Sequence, residues 1–241
     1  EVRKKKDLPQ DWATTQNNLG GALWAQASRT QGDAGTKLLR QSVTAYRSAL
    51  EVHTRNDRPQ DWAMAQTGLG IALFDQARRT QGNASTELLR ESVAAYRAAL
   101  EVRTRNDLPQ DWASTQNNLG NALGAQALRT PGDAGTELFR QAIAAHRAAL
   151  EVYSRNDQPQ DWATIQNNLG LVLKDQASRL PPNSPSHKDL LTQAVAAFRA
   201  ALQIHTQAVF PLDWERAQLN LARACALLPD ERCAADGFAS V

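Results

Sequence analysis

The residues of this chain that could transfer protons, attack substrates or hold metals are four histidines, two cysteines and scattered carboxylates. His53, His146, His187 and His205 lie far apart, with no metal-ligand spacing and no neighbouring nucleophile to form a nucleophile–base pair. Gly32-Asp33-Ala34-Gly35 is glycine-bearing, but it reads as a turn and not as a phosphate or dinucleotide loop. Cys225 and Cys233 stand together near one end; two such thiols make no disulfide framework, and a reducing cytoplasm is the simplest expectation. The chain is therefore expected to be no enzyme, with no catalytic residue, metal or cofactor.

Binding chemistry is better represented. Asn17, Asn117 and Asn167 recur, with Thr67 in the corresponding second place. A carboxamide both donates and accepts, so it can hold the backbone of a bound peptide without reading its side chains. The competing use is hydrogen bonding between helices, because Asn is a mediocre helix former and needs a tertiary reason to sit in one. Asn18, Asn118 and Asn168, with Gly68 as the exception, are assigned to structure.

The element that positions these amides is a repeat. Pro9-Gln10-Asp11-Trp12 returns at Pro59, Pro109 and Pro159 with a step of 50 residues (62 − 12 = 112 − 62 = 162 − 112 = 50), and Pro211-Leu212-Asp213-Trp214 follows two residues late. Self-similarity at such a period marks a solenoid of stacked supersecondary units. Within one repeat, a first helix is expected from about Gln10 to Arg29, with Trp12, Leu19, Gly20, Leu23 and Ala27 on one face. Pro9 suits its first turn, Asp7 could cap it, and Asp11 favours the positive end of its dipole. The turn at 31–35 leads to a second helix from about Thr36 to Thr54, with Leu39, Val43, Tyr46, Ala49 and Leu50 as its apolar set and an Arg47–Glu51 pair. In the fourth repeat, Leu180 to Ser186 lengthens the inter-helix loop and accounts for the late Trp214.

Gln16-x-x-Leu19-Gly20-x-x-Leu23, followed by Ser42-x-x-x-Tyr46-x-x-Ala49, resembles the tetratricopeptide repeat. Gly20, Gly70, Gly120 and Gly170 stand where that family brings its helices close. The Asn17-Asn18-Leu19 element and the proline-led linker are most similar to the lengthened repeats of kinesin light chain. The near-identical copies resemble arrays in large bacterial multidomain proteins. The period departs from the family's usual 34 or so, which leaves pitch and groove width open. The resemblance implies an all-α, right-handed α-solenoid of antiparallel helix pairs. Residues 1–9 read as the tail of a truncated preceding repeat, 10–228 as four helix pairs plus a capping helix, and 229–241 as a weakly structured tail.

Copies of the repeat also differ from one another in an ordered way. Gly21, Trp24, Ala25 and Ser28 become Ile71, Phe74, Asp75 and Arg78, then Asn121, Gly124, Ala125 and Leu128, then Leu171, Lys174, Asp175 and Ser178. These offsets are i, i+3, i+4 and i+7, one stripe of a helix. In the family resembled, the equivalent stripe lines the concave groove, and the Asn set clamps peptide backbone. Trp24, Ile71, Phe74, Leu128 and Leu171 are expected as apolar anchors, Asn121 as a further lining residue, and Asp75, Arg78, Lys174 and Asp175 as charge selectors. The alternative is that the stripe packs against a neighbouring repeat.

The regular tryptophans are expected to be packing residues. The arginines Arg40, Arg47, Arg90, Arg97, Arg140 and Arg147, neutralised by Glu51, Glu87, Glu101, Glu137 and Glu151, read as a solvated convex face. A net charge of +2 gives no reason to expect a nucleic-acid partner, and no apolar run approaches the roughly 20 residues a bilayer requires. The expected partner is a protein or peptide, including another domain of the parent chain; the alternative is a structural or regulatory array that associates end to end.

Overall fold

The computed structural model describes residues 5–228 and Cys233, and the described residues are helical with no strand. The helices are α1 (Pro9–Ser28), α2 (Gly32–Leu50), α3 (Pro59–Arg78), α4 (Gly82–Leu100), α5 (Pro109–Arg129), α6 (Gly132–Leu150), α7 (Pro159–Ala177), α8 (Pro185–Leu202) and α9 (Pro211–Leu227). The chain divides into two compact units, Glu1–Arg129 with α1 to α5 and Thr130–Val241 with α6 to α9. Within each unit, successive helices pack against one another as an α-solenoid of helical hairpins. The division falls inside the third helix pair, a boundary the repeat period does not announce. No described helix is long and apolar enough to cross a membrane.

Two surfaces hold the hairpins together. Inside a pair, the second helix drives an aromatic ring onto a glycine of the first. A Cβ on Gly20 would lie 2.9 Å from the Tyr46 ring, one on Gly70 2.7 Å from Tyr96, and one on Gly170 2.6 Å from Phe198. Any side chain there would collide, so the helix-propensity cost of glycine, about 1 kcal/mol, is accepted for ring-to-backbone packing. Between pairs, Leu69 and Leu73 of α3 join Val43 and Tyr46 of α2 in a buried cluster with Ala72 and Ala95. Each such leucine contributes roughly 1.5–3 kcal/mol by leaving water.

Helix ends depart from expectation for local reasons. The second helices begin at Gly32, Gly82 and Gly132, where φ is near +66°, +65° and +66°. A left-handed glycine reverses the chain in one residue, so no longer turn is needed before the helix starts. They end at Leu50, Leu100 and Leu150. The residues beyond form a polar turn instead, in which the Thr54 hydroxyl donates to Asp57 at 2.7 Å and accepts from the Asp57 N–H at 3.2 Å. Thr104 with Asp107, and Ser154 with Asp157, do the same. The expected cap by Asp7 is not made: Leu8 holds the N-cap position of α1 without a side-chain bond. The Arg47–Glu51 pair is not made either. Arg47 pairs with Glu91 of the next repeat, Glu51 with Lys5, and Arg55 with Glu101. An Arg preceding a Glu by four is the weaker order on a helix, and the neighbouring repeat presents a competing carboxylate. Arg90–Glu87 and Arg140–Glu137, each at 2.7 Å, do lie within one helix. All these pairs are exposed and worth at most about 1 kcal/mol each.

The carbonyls ending each first helix meet a different side chain from repeat to repeat. In the first repeat, Arg79 reaches across from the next repeat and donates to Ala27 O at 2.8 Å and Thr30 O at 2.9 Å. Gly35 leaves the opening for it, since a Cβ there would fall 2.0 Å from the Arg79 guanidinium. Arg179, Thr130 and Gly135 repeat the arrangement at 2.7 Å. In the second repeat Ser85 replaces the glycine and donates to Ala77 O at 2.8 Å, and Arg129 turns back to Ala125 O of its own helix at 2.9 Å. In the fourth, His187 Nδ1 meets Ala177 O at 3.0 Å. An arginine common to all four copies therefore performs two different tasks, chosen by its neighbour's glycine or serine.

Cys225 and Cys233 are joined by a disulfide, with Cα atoms 5.4 Å apart. This corrects the expectation of free thiols: Cys225, near the end of α9, and Cys233 lie within bridging distance. The expected weak tail at 229–241 lies, apart from Cys233, outside the described residues, as does the opening of the 1–9 segment.

Candidate functional site

The variable stripe of the first helices lines two cavities in the unit containing α1 to α5. One, of about 380 Å³, is walled by Asn17 and Gly21 of α1 and by Met64, Thr67 and Ile71 of α3, with Tyr46 and Arg103 closing it. The second, of about 290 Å³, is walled by Ser28, Asp75, Arg78 and Arg79. Helical periodicity puts these residues on one face of each first helix, and the side-by-side packing of α1 and α3 turns the two faces into a shared wall.

In the larger cavity, polar and apolar groups meet. Asn17 donates from Nδ2 to Met64 Sδ at 3.5 Å, while its Oδ1 is buried with no donor. Met64 is 48% exposed, so the thioether is both a wall and an accessible contact. Arg103 donates to Thr115 Oγ1 at 3.2 Å. Burial lowers the pKa of its guanidinium and the nearby Asp111 carboxylate opposes that shift. Burial raises the Tyr46 phenol, which stays neutral. The cavity thus offers a cation, a polarisable thioether, an amide and an Ile71 side chain within one space.

The stripe does not behave uniformly. Trp24 and Asp75, expected as an anchor and a charge selector, hold each other: the indole Nε1 donates to Asp75 Oδ2 at 2.7 Å across the α1–α3 boundary. Arg78 adds a longer contact to Asp75 at 3.8 Å. Lys174 and Asp175 pair at 2.7 Å and are both half-buried. Phe74, Asn121 and Leu171 are partly buried, Gly124 is buried, and Leu128 stands 52% exposed. Ile71 is the expected anchor that the structure brings to a cavity with Asn17.

The amides divide too. Asn167 is buried and its Oδ1 accepts from Asn220 Nδ2 at 3.1 Å, joining α7 to α9. That is the helix-to-helix use left open as the alternative. Asn220 stands, relative to Trp214, where Asn18 stands relative to Trp12. In the second repeat that place is Gly68, which has no amide to give, and the Tyr46 ring fills the space 2.3 Å from where a Cβ would lie. The missing amide explains the orphaned Asn17 oxygen, and Gly68 and the Tyr46 ring stand in the wall of the adjacent cavity.

Arg103, Met64, Tyr46 and Gly68 were not among the residues expected at the site. A signal for Arg103 existed: the residues three past the second helices read His53, Arg103, Tyr153 and His205, as variable as the stripe itself. Among the described residues, no group of three or more His, Cys, Asp and Glu side chains could hold a metal ion. His53 and His205 are buried with their pKa lowered first by desolvation. His146 is fully buried, both ring nitrogens lack a partner, and burial lowers its pKa to about 3.

Compared with models of known protein families and with curated proteins, the chain matches none.

Proposed function

We propose that this chain is a peptide- or protein-binding scaffold whose site is the first-helix face of α1 and α3, and that it performs no catalysis. The observation that carries the reading is the coincidence of two independent patterns. Residues that differ between copies of the repeat, such as Gly21, Ile71, Ser28, Asp75 and Arg78, are among those lining both cavities, beside repeated ones such as Asn17 and Arg79. Positions bound by stacking repeat faithfully; positions that contact a ligand are free to diverge. The tetratricopeptide-like pattern of the sequence supports the same use of this face. An extended segment would lay an apolar side chain against Ile71 and Met64. Its carbonyls, or an acidic side chain, would face Arg103. Asn17 would contribute its amide, whereas Asn167, engaged with Asn220, would not.

The test uses a displayed library of random 12-residue peptides as the probe. Peptides selected on the wild-type chain should lose at least tenfold in affinity on Asn17→Ala combined with Met64→Glu. Circular dichroism and melting of that variant should stay near wild type, because Met64 is exposed. Equal affinity for variant and wild type would remove the site from this face.

A further inference from the structure

Met64 is the one methionine in the sequence, and it stands where the other copies of the repeat carry a hydroxyl: Thr14, Ser114 and Thr164. All four copies are exposed at this place, so the 48% exposure of Met64 is a property of the repeat. Two of the hydroxyls turn back onto their own helix. Thr14 donates to Gln10 O at 3.0 Å and Thr164 to Gln160 O at 2.9 Å, each four residues earlier. A thioether has no proton to donate, so Met64 makes no such bond within α3. Its Sδ instead accepts from Asn17 Nδ2 of α1 at 3.5 Å, and both residues stand with Ile71 in the wall of the cavity of about 380 Å³. Thioether sulfur is a weak acceptor, so the Asn17 amide is loosely held, and its Oδ1 is buried without a donor. The same sulfur is a two-electron reductant open to solvent. No thiol competes with it for an oxidant, because Cys225 and Cys233, the two cysteines of the sequence, are joined.

We propose that Met64 is an oxidation site that regulates the first-helix face, with a hydroperoxide as its reagent. A sulfur lone pair takes the outer peroxide oxygen, and the S–O bond forms as the O–O bond breaks. The outer oxygen passes its proton to the departing one, which leaves as water or an alcohol. Sulfur loses two electrons and the peroxide bond gains them. The sulfoxide oxygen is a strong acceptor on the atom that Asn17 already faces, so it captures the Nδ2 amide. A polar group then replaces apolar surface beside Ile71, and the amide offered to a ligand is withdrawn. The loss of affinity rests on the peptide-binding use proposed above; the capture of Asn17 does not. Hydroxyls at the same place do not react with a hydroperoxide, so α3 alone of the first helices carries the switch. Methionine sulfoxide reductase resets it: a dithiol supplies two electrons, becomes a disulfide, and the oxygen leaves as water.

Hydrogen peroxide added to the full chain should add the mass of one oxygen atom, and peptide mapping should place it on Met64. The Asn17 side-chain amide signals in NMR, identified by their loss in Asn17→Ala, should move on oxidation. In Met64→Leu, peroxide should leave those signals where they are. Peptides selected from the displayed library on the untreated chain should lose at least tenfold in affinity after oxidation and regain it after reductase treatment. Peroxide-treated and untreated Met64→Leu should bind a given peptide alike. Melting of the oxidised chain should stay near that of the untreated one, because the modified side chain is exposed. Oxygen added first at another residue, or Asn17 signals that do not move, overturns the proposal. So does a peptide affinity that survives oxidation. If selection yields no peptide, the binding reading of this face falls with the affinity claim, and the Asn17 signals still decide whether the sulfoxide captures the amide.

Discussion

Replacing His146 by Phe should make the chain more stable and remove part of its sensitivity to acid. Tyr46, Tyr96 and Phe198 occupy the corresponding place in the other repeats, so the site accommodates a six-membered ring. His146 instead puts two unpartnered ring nitrogens into a fully buried position. Leaving such a polar group unsatisfied costs about 1–3 kcal/mol, so His146→Phe should gain on that order at pH 8. The acid effect follows from linkage. Burial holds the folded-state pKa near 3 against an ordinary 6.5, so the unfolded chain binds a proton that the folded one refuses. A depressed histidine contributes its full stability above the unfolded pKa. The contribution is lost as pH falls below 6.5 and levels off below about 3. At pH 5 the difference, RT ln[(1 + 10^1.5)/(1 + 10^−2)], is about 2 kcal/mol. Urea unfolding at pH 8 and pH 5 measures this directly. His53 and His205, whose pKa values move the same way, remain in both proteins and cancel in the comparison. The stability gap between variant and wild type should widen by about 2 kcal/mol on acidification. A gap that stays constant with pH would refute the buried, neutral imidazole.

Other consequences concern the repeat contacts and the thiols. Arg79→Ala should cost about 1–2 kcal/mol in chemical denaturation, because it removes the guanidinium donor from Thr30 O and leaves Ala27 O with the Thr30 N–H alone, while Arg129→Ala should cost under about 0.5 kcal/mol; equal effects would contradict the two capping modes. Asn167→Ala should lose about 1–3 kcal/mol by orphaning the buried Asn220 amide, whereas Asn17→Ala should be near neutral because its oxygen is already unpaired; mass-matched melting curves would show the contrast. Iodoacetamide should modify neither Cys225 nor Cys233 before reduction and both after it, as read by intact mass.

Much of the fold was legible because duplication makes the sequence its own comparison. The aromatic-on-glycine packing was visible in Gly20, Gly70 and Gly170 with Tyr46, Tyr96 and Phe198, since one size pattern repeated. What did not show was chemistry that crosses from one repeat to the next. Arg79 and Arg129 are the same residue in the same register; only the Gly35–Ser85 difference, many residues away, assigns them opposite partners. The Arg47–Glu51 reading failed for the same reason, as a local spacing rule cannot see Glu91. At the site, helical spacing grouped the stripe residues on one face, but it could not foresee that Trp24 and Asp75 hold each other between α1 and α3. Gly68 carried the strongest hidden signal. It breaks the amide pairing seen between Asn167 and Asn220 and leaves the Asn17 oxygen without a donor beside the cavity.

The central claim is that a ligand lies along the first-helix face of α1 and α3. Hydrogen exchange of the wild-type chain, with and without a peptide selected from the displayed library, tests it most directly. The account predicts added protection in the α1 and α3 segments around Asn17 and Ile71, with α2 and α4 unchanged. Protection confined to α2 and α4, around the exposed Arg40 and Arg90, would contradict it.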